Sequence, residues 1–336
     1  MMKSRYLLLL CSSLFFFSCE NEVVLLEDAS PLPIVYGLYN TASQAQFVNI
    51  SKSFQFGTEG GAFEAAQQED SLYYGIDEIN AYAENSRTAD RATMTRVNLA
   101  DQGLPRGAGV FPSTPNFFYT FDSTGLNSRP GDTIRLLIEQ NGAILASGNA
   151  PVLPTLAFQR SREPLDQYPF SSQTPYSFSW TKEATTAIGV EIGTYEFGFN
   201  IMLTETGPNG VSEVNLYWAA GRNLDGSSNV FRGPLSGFYD FLNGELKTSL
   251  EGYSYSVPAV KMVITGGDES FSAYRDLIQA NRGITSTGEL PPFSNIEGGI
   301  GLFGGITQLE QETIAGLTID SADELVTRCP GIDFGL

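Results

Sequence analysis

Read as a pattern of apolar and polar positions, the chain alternates far more often than it repeats every three or four residues. Ile34-Val35-Tyr36-Gly37-Leu38-Tyr39 is apolar and rich in β-formers. Across Gln46–Phe56, one face carries Val48, Ile50, Lys52, Phe54 and Phe56 and the other Phe47, Asn49, Ser51, Ser53 and Gln55. The first set is mostly apolar, as a half-buried strand requires. Further strands are predicted at Thr93–Leu99, Phe117–Asp122 and Thr133–Glu139. Another is expected around Ile76, Ile79 and Tyr82, although a spacing of three is closer to helical. Pro130-Gly131-Asp132 marks a turn, and Asn141-Gly142 a type I′ hairpin leading into Ala143–Ser147. Short strands with turns at this spacing predict an immunoglobulin-like β-sandwich over residues 34–155.

Pro151, Pro154, Pro164, Pro169 and Pro175 then interrupt any periodicity. Proline lacks the ladder donor, so 156–175 reads as a linker and 176–336 as a second, β-rich domain. That domain opens with the alternating Tyr176-Ser177-Phe178-Ser179-Trp180. Long strands at Val190–Glu205 and Val211–Trp218 flank the turn Gly207-Pro208-Asn209-Gly210, and strands are also expected at Ser249–Tyr255 and Ala259–Thr265. Helical spacing is confined to two places. Glu269–Asn281 puts Phe271, Tyr274, Leu277 and Ile278 on one face, with Gly283 to end it. Ser321-Ala322-Asp323-Glu324 has the form of a capping box opening a last short helix.

Composition narrows the chemistry. The 336 residues include no histidine, which removes Ser-His-Asp and Cys-His nucleophiles, His-ligated zinc and a histidine general base. With 19 basic and 38 acidic residues the net charge is −19, and too few cations remain to track nucleic-acid phosphates. No cofactor is expected.

The N-terminus reads as an address. Lys3 and Arg5 precede the apolar run Tyr6–Phe17, too short for a helical span and suited to the core of a signal peptide. Ser18-Cys19 closes that run and resembles the lipobox of bacterial lipoproteins, with Phe16 and Phe17 departing from the usual residues upstream. The resemblance implies cleavage of residues 1–18, acylation of Cys19 and an acidic tether over 19–33. Removing the signal leaves 318 residues with 17 basic and 38 acidic side chains, a net of −21. Glu20-Asn21-Glu22 resembles the acidic export signal that sends Bacteroidota lipoproteins to the cell surface. Only Cys329 then remains beside the anchor, so packing rather than disulfides must hold the fold.

Several motifs carry chemistry formally but lack its context. Gly299-Ile300-Gly301-Leu302-Phe303-Gly304 matches G-x-G-x-x-G, yet only 32 residues follow and no βαβ unit fits, so tight backbone packing is the expected role. Ser179-Trp180-Thr181-Lys182 matches S-x-x-K. On a strand, however, residues three apart face opposite ways, and the companion motifs of that enzyme class are missing. Asp225-Gly226-Ser227-Ser228-Asn229 lacks the full spacing of a calcium loop and reads as a polar turn. Cys329 reads as a buried, idle thiol. Paired carboxylates are the one catalytic class that composition leaves open, which keeps a carboxylate-based glycan hydrolase as the alternative function.

Three stretches carry a wider likeness: Pro33–Asn40 with the strand that follows, Asp132–Ile138 with its hairpin and Pro151, and Pro292–Gly304. The last contains Asn295, Gly298, Gly299, Gly301, Phe303 and Gly304 in the form S-N-I-x-G-G-x-G-x-F-G. Together they resemble a Bacteroidota family of outer-membrane lipoproteins classed as a domain of unknown function, whose members often carry extra C-terminal cysteines. The resemblance implies a lipid-anchored outer-membrane protein facing the cell exterior, often associated with a TonB-dependent transporter, and supplies no catalytic or metal-binding residues. The expected activity is that of a non-catalytic binding or accessory component, with a glycan or peptide as ligand.

Overall fold

The computed structural model describes residues 31–53, 61–107, 109–159, 167–168, 170, 175–183, 190–281, 293–310, 316–317 and 319–334. The signal segment, Cys19, Phe54, Phe56 and Gly283 lie outside the described residues. In chain order, β1 (Pro33–Asn40) and β2 (Ala45–Lys52) lead to two short helices, α1 (Ala62–Ala66) and α2 (Glu69–Leu72). Then follow β3 (Asn80–Asn85), β4 (Arg91–Thr93), β5 (Thr95–Asn98), β6 (Phe117–Asp122), β7 (Thr133–Gln140), β8 (Ala143–Pro151), β9 (Leu156–Phe158) and β10 (Gln167–Tyr168). The second half holds β11 (Tyr176–Lys182), β12 (Thr194–Gly207), β13 (Gly210–Asp225), β14 (Val230–Gly233), α3 (Gly237–Glu245), β15 (Ser254–Gly267), α4 (Glu269–Asn281), β16 (Ile300–Glu310), β17 (Gly316–Leu317) and α5 (Ile319–Arg328). The fold is mainly β, as expected.

One sheet organises the molecule. Its eight strands run β13-β12-β15-β16-β1-β2-β6-β5, and all neighbours are antiparallel except β16 and β1. The large sheet therefore takes strands from both sides of 156–175. The cores, in contrast, divide close to that stretch. The first lies between β1, β2 and β6 and the antiparallel sheet β4-β3-β7-β8, and it borrows Ile296 and Phe303 from the far end of the chain. The second, from Leu153 onward, is aromatic: Tyr195, Phe197, Phe199, Ile201 and Leu203 of β12 alternate inward, and Phe197 stacks on Phe231 at 4.2 Å. The described part of 156–175 belongs to this second core. Leu156–Phe158 is a strand, and Tyr168 and Phe170 are buried, the latter stacked on Phe238 at 4.0 Å.

Local expectations held where turn chemistry was explicit. Asn141 and Gly142 both have positive φ, as a type I′ turn demands, and Pro208-Asn209 joins β12 to β13. Three differ. The strand expected at Ser249–Tyr255 begins with a 3₁₀ turn, Ser249–Glu251. The Glu251 carboxylate accepts the Thr248 N–H at 2.9 Å, so the local capping bond outcompetes extension. Helix α5 starts at Ile319, before Ser321, which is thus inside the helix rather than capping it. Glu324 instead pairs with Arg328 one turn on, at 2.5 Å. Around Ile76, only Tyr82 lies in β3; Ile79 is buried just before the strand starts, and Ile76 stands exposed in the turn ahead of it. Helix α3 was missed, although Phe238, Tyr239 and Leu242 carry its buried stripe.

Candidate functional site

The six residues singled out near the C-terminus come together as a clasp around the start of β16. Asn295 works as a side-chain strand. Its Nδ2 donates to the Phe303 carbonyl and its Oδ1 accepts the Phe303 N–H, both at 2.9 Å. Phe303 itself is buried in the first core, against Gly148 of β8. Ser147 and Glu297 exchange backbone bonds at 2.9 and 2.8 Å, fastening the loop to β8. Gly298 has φ +74°, and a Cβ there would strike the Leu145 carbonyl. Gly301 has φ +123° and lies so close to the Val35 carbonyl that no side chain fits. This approach lets β16 pair in parallel with β1, from Ile34↔Ile300 to Asn40↔Ile306. Gly299 passes the Pro33 carbonyl in the same way, and Gly304 faces the Asp268 carboxylate. A strand and not a helix follows the motif, so it lacks the turn-to-helix context of a dinucleotide site.

Helix α4 lies on the opposite face of the sheet from the cores. Asp268 caps it, accepting the Phe271 N–H at 2.7 Å, and its other oxygen takes the Gly305 N–H at 3.0 Å. Burial pushes the Asp268 carboxyl above the usual aspartate range, and these two bonds only partly offset the effect. Farther along, Arg275 pairs with Glu196 of β12, a carboxylate that also accepts the Tyr217 hydroxyl at 2.8 Å. Burial first, and then the facing Glu196, push the Tyr217 phenol up. The helix is thus fixed over β15 and β16, and Tyr36 of β1 and Phe47 of β2 beside it are exposed.

The strip beside the helix forms an open groove of about 560 Å³. Tyr36 of β1, Phe47 of β2 and Tyr274 of α4 supply its ring faces, and Leu302 and Ile306 its floor. The Tyr36 and Tyr274 rings are 5.9 Å apart and tilted by 48°, with Tyr36 exposed and Tyr274 half-buried. Polar groups at its margin are already engaged. Gln46 accepts the Asn40 N–H at 2.9 Å, and Asn40 donates to Gln308 at 2.7 Å. Among the described residues no carboxylate lines the groove. Its rings can stack on a ligand and cover it.

Two further cavities bear on the hydrolase alternative. A polar cleft of about 810 Å³ gathers Glu191, Asp225, Asp268 and Glu269 with Lys182, and among the described residues no aromatic side chain lines it. Asp225 there closes a local turn, accepting the Ser227 N–H at 2.9 Å and its hydroxyl at 2.7 Å. A smaller hollow of about 360 Å³ has aromatic walls, Tyr73, Tyr74 and Phe117. Its acids, Glu69 and Asp70, are exposed neighbours on α2, with Glu69 3.6 Å from Arg96. Neither places two acids across an aromatic cleft. Ser179 and Lys182 part company as well: Ser179 is buried and donates to Gln159 at 2.6 Å, while Lys182 is exposed. Cys329 is buried, and burial with the nearby Asp240 pushes its thiol up to about 11. Among the described residues no group of three or more acids or cysteines is placed to hold a metal ion. The groove was not visible in sequence, because its three rings come from Tyr36, Phe47 and Tyr274, far apart along the chain.

No protein-family model matches the chain, and no curated protein matches it.

Proposed function

We propose that this chain is a lipid-anchored outer-membrane protein, held by an acylated Cys19 and facing the cell exterior. It acts as a non-catalytic binding or accessory component of a TonB-dependent transporter. On this reading residues 34–155 form an immunoglobulin-like sandwich, and the clasp at Asn295–Gly304 is the hallmark of the lipoprotein family that the sequence resembles. The observation that carries the binding role is the groove beside α4, with three aromatic rings and, among the described residues, no carboxylate. A glycan ring or an apolar peptide side chain suits such a surface by stacking. Among the described residues, the acids of the other two cavities sit in a cleft without aromatic walls or side by side on α2, so neither cavity supports the hydrolase alternative.

Purification of the tagged chain from detergent-solubilised outer membrane should bring down a TonB-dependent transporter. Recovery of the chain alone would reject the accessory role. Tyr36→Ala and Tyr274→Ala should each weaken ligand retention at least several-fold while leaving the melting temperature within a degree or two. Growth with labelled palmitate should mark the wild type, and label persisting in Cys19→Ala would refute the anchor.

A further inference from the structure

Exposed apolar side chains are unevenly distributed, and their distribution follows the strand directions. β1 enters the large sheet at Pro33, beside Lys52 at the end of β2. The segment carrying α1 and α2 departs from that same end of β2. Asn98 of β5 pairs with Phe117 of β6, so the loop 99–116 between them is at this end too. So is the β7–β8 hairpin, because Asn80 pairs with Glu139 and the Gln140 amide reaches Glu78 at 3.2 Å. These excursions are tied together. Gln67 donates to the Val110 carbonyl, the Tyr73 hydroxyl donates to the Pro115 carbonyl at 3.2 Å, and the Arg106 guanidinium lies 5.4 Å from the Phe111 ring centre.

What this tied end presents to water is apolar. Phe63, Ile76, Leu104, Val110, Phe111 and Ile144 are all exposed, Ile76 at 79% and Phe63 at 64%. Leu32, at the entry to β1, is exposed as well. Seven of the twelve large exposed apolar side chains among the described residues therefore crowd one end of the first core. The far end of the large sheet, at the β12–β13 turn, shows Val211 alone among them. A concentration of this kind marks a surface that is covered in use.

We propose that this end of the first core is a membrane-docking face, with the bilayer that holds the Cys19 lipid as its occupant. The proposal rests on the lipid-anchor reading. The argument for a bilayer is the chain's own path. Leu32 stands on this face, and thirteen residue steps separate it from Cys19. At full extension they reach at most about 45 Å, so the anchor keeps this end near the lipid. Loops bearing exposed Phe, Leu, Ile and Val side chains suit shallow insertion at the headgroup boundary. Glu69, Asp70, Asp77 and Glu78 share this end, so zwitterionic lipid is favoured over anionic. Docked in this way, the molecule turns the groove at Tyr36, Phe47 and Tyr274 toward solvent.

The test uses the mature chain coupled through Cys19 to a maleimide lipid in vesicles of brominated phosphatidylcholine. This coupling does not depend on whether cells acylate Cys19, and the buried Cys329 does not compete. Tryptophan fluorescence is compared for Val110→Trp, Val211→Trp and the parent, whose Trp180 and Trp218 give the background. Docking predicts quenching of Val110→Trp at least threefold greater than of Val211→Trp. It also predicts loss of that difference when Phe63→Ser, Ile76→Ser and Phe111→Ser are added. Equal quenching at both positions, or none at Val110→Trp, overturns the proposal. A concentration-dependent dimer dissolved by the same three substitutions also overturns it, because the face would then belong to a second copy. Quenching as predicted with no palmitate on Cys19 in cells would support docking while rejecting the anchor.

Discussion

Replacing Gly301 by alanine tests the claim that β16 is the strand on which the large sheet depends. The backbone at this position has φ +123°, a conformation that costs a non-glycine residue about 2 kcal/mol. The added methyl would also meet the Val35 carbonyl oxygen, a backbone atom within β1 that no rotamer change can move. Relief requires β16 to shift away from β1 and give up at least two ladder bonds, at about 1 kcal/mol each. The expected loss is therefore about 4 kcal/mol, a large share of the roughly 5–15 kcal/mol that holds a native fold. At about 2 °C per kcal/mol for a chain of this size, the melting temperature should fall by about 8 °C. Differential scanning calorimetry on the mature chain measures it. Gly244→Ala is the matched control: Gly244 is exposed in α3 with nothing within 4 Å of a new Cβ, and alanine should stabilise there by about 0.5–1 kcal/mol. If Gly301→Ala melted within 2 °C of the parent, the parallel β1–β16 pairing would not be the constraint described.

Other consequences follow from the same geometry. Asn295→Ala removes two bonds to the Phe303 backbone and should cost about 2 kcal/mol, whereas Asn295→Asp retains only the acceptor and should fall between, as read by urea denaturation. Asp132 and Asp268 should titrate in opposite senses. The Arg87 bond holds Asp132 below the ordinary 3.8, so the stability it contributes is present above that value and lost as pH falls through its lowered pKa. Asp268 is raised above 3.8, so its contribution is complete below that value and lost as pH rises through its raised pKa. Melting curves against pH should thus lose their acid-side fall in Asp132→Asn and flatten above pH 3.8 in Asp268→Asn; unchanged profiles would contradict both assignments. In a Cys19→Ala background, Cys329 should resist a disulfide reagent at pH 8 until the chain is unfolded. Rapid reaction of the native protein would mean that the thiol is not buried.

Much of the local structure was legible because its causes are local. β1, β6 and β7 follow from alternation, the Asn141-Gly142 turn from a residue pair that tolerates positive φ, and α4 from the stripe of Phe271 and Tyr274. Errors arose where a competing local bond or an ambiguous period decided the outcome, as at Thr248–Glu251 and around Ile76. The clasp was legible as a place of tight packing but not as a mechanism. Nothing in Gly301 itself names Val35 as the oxygen it must admit. The groove was not legible at all.

The sequence by itself determined a mainly β chain without histidine chemistry, with candidate strands and turns in largely correct places. Alternation, turn residues and composition act over a few positions, so they can be read in order. Only the tertiary structure decided that β1 and β16, from opposite ends of the chain, lie side by side and join two cores through one sheet. The same long-range pairing brought Tyr36, Phe47 and Tyr274 to one groove and gathered Phe63, Ile76 and Phe111 at the end where the tether enters. Exposure and adjacency are properties of the packed chain, and no residue carries them alone.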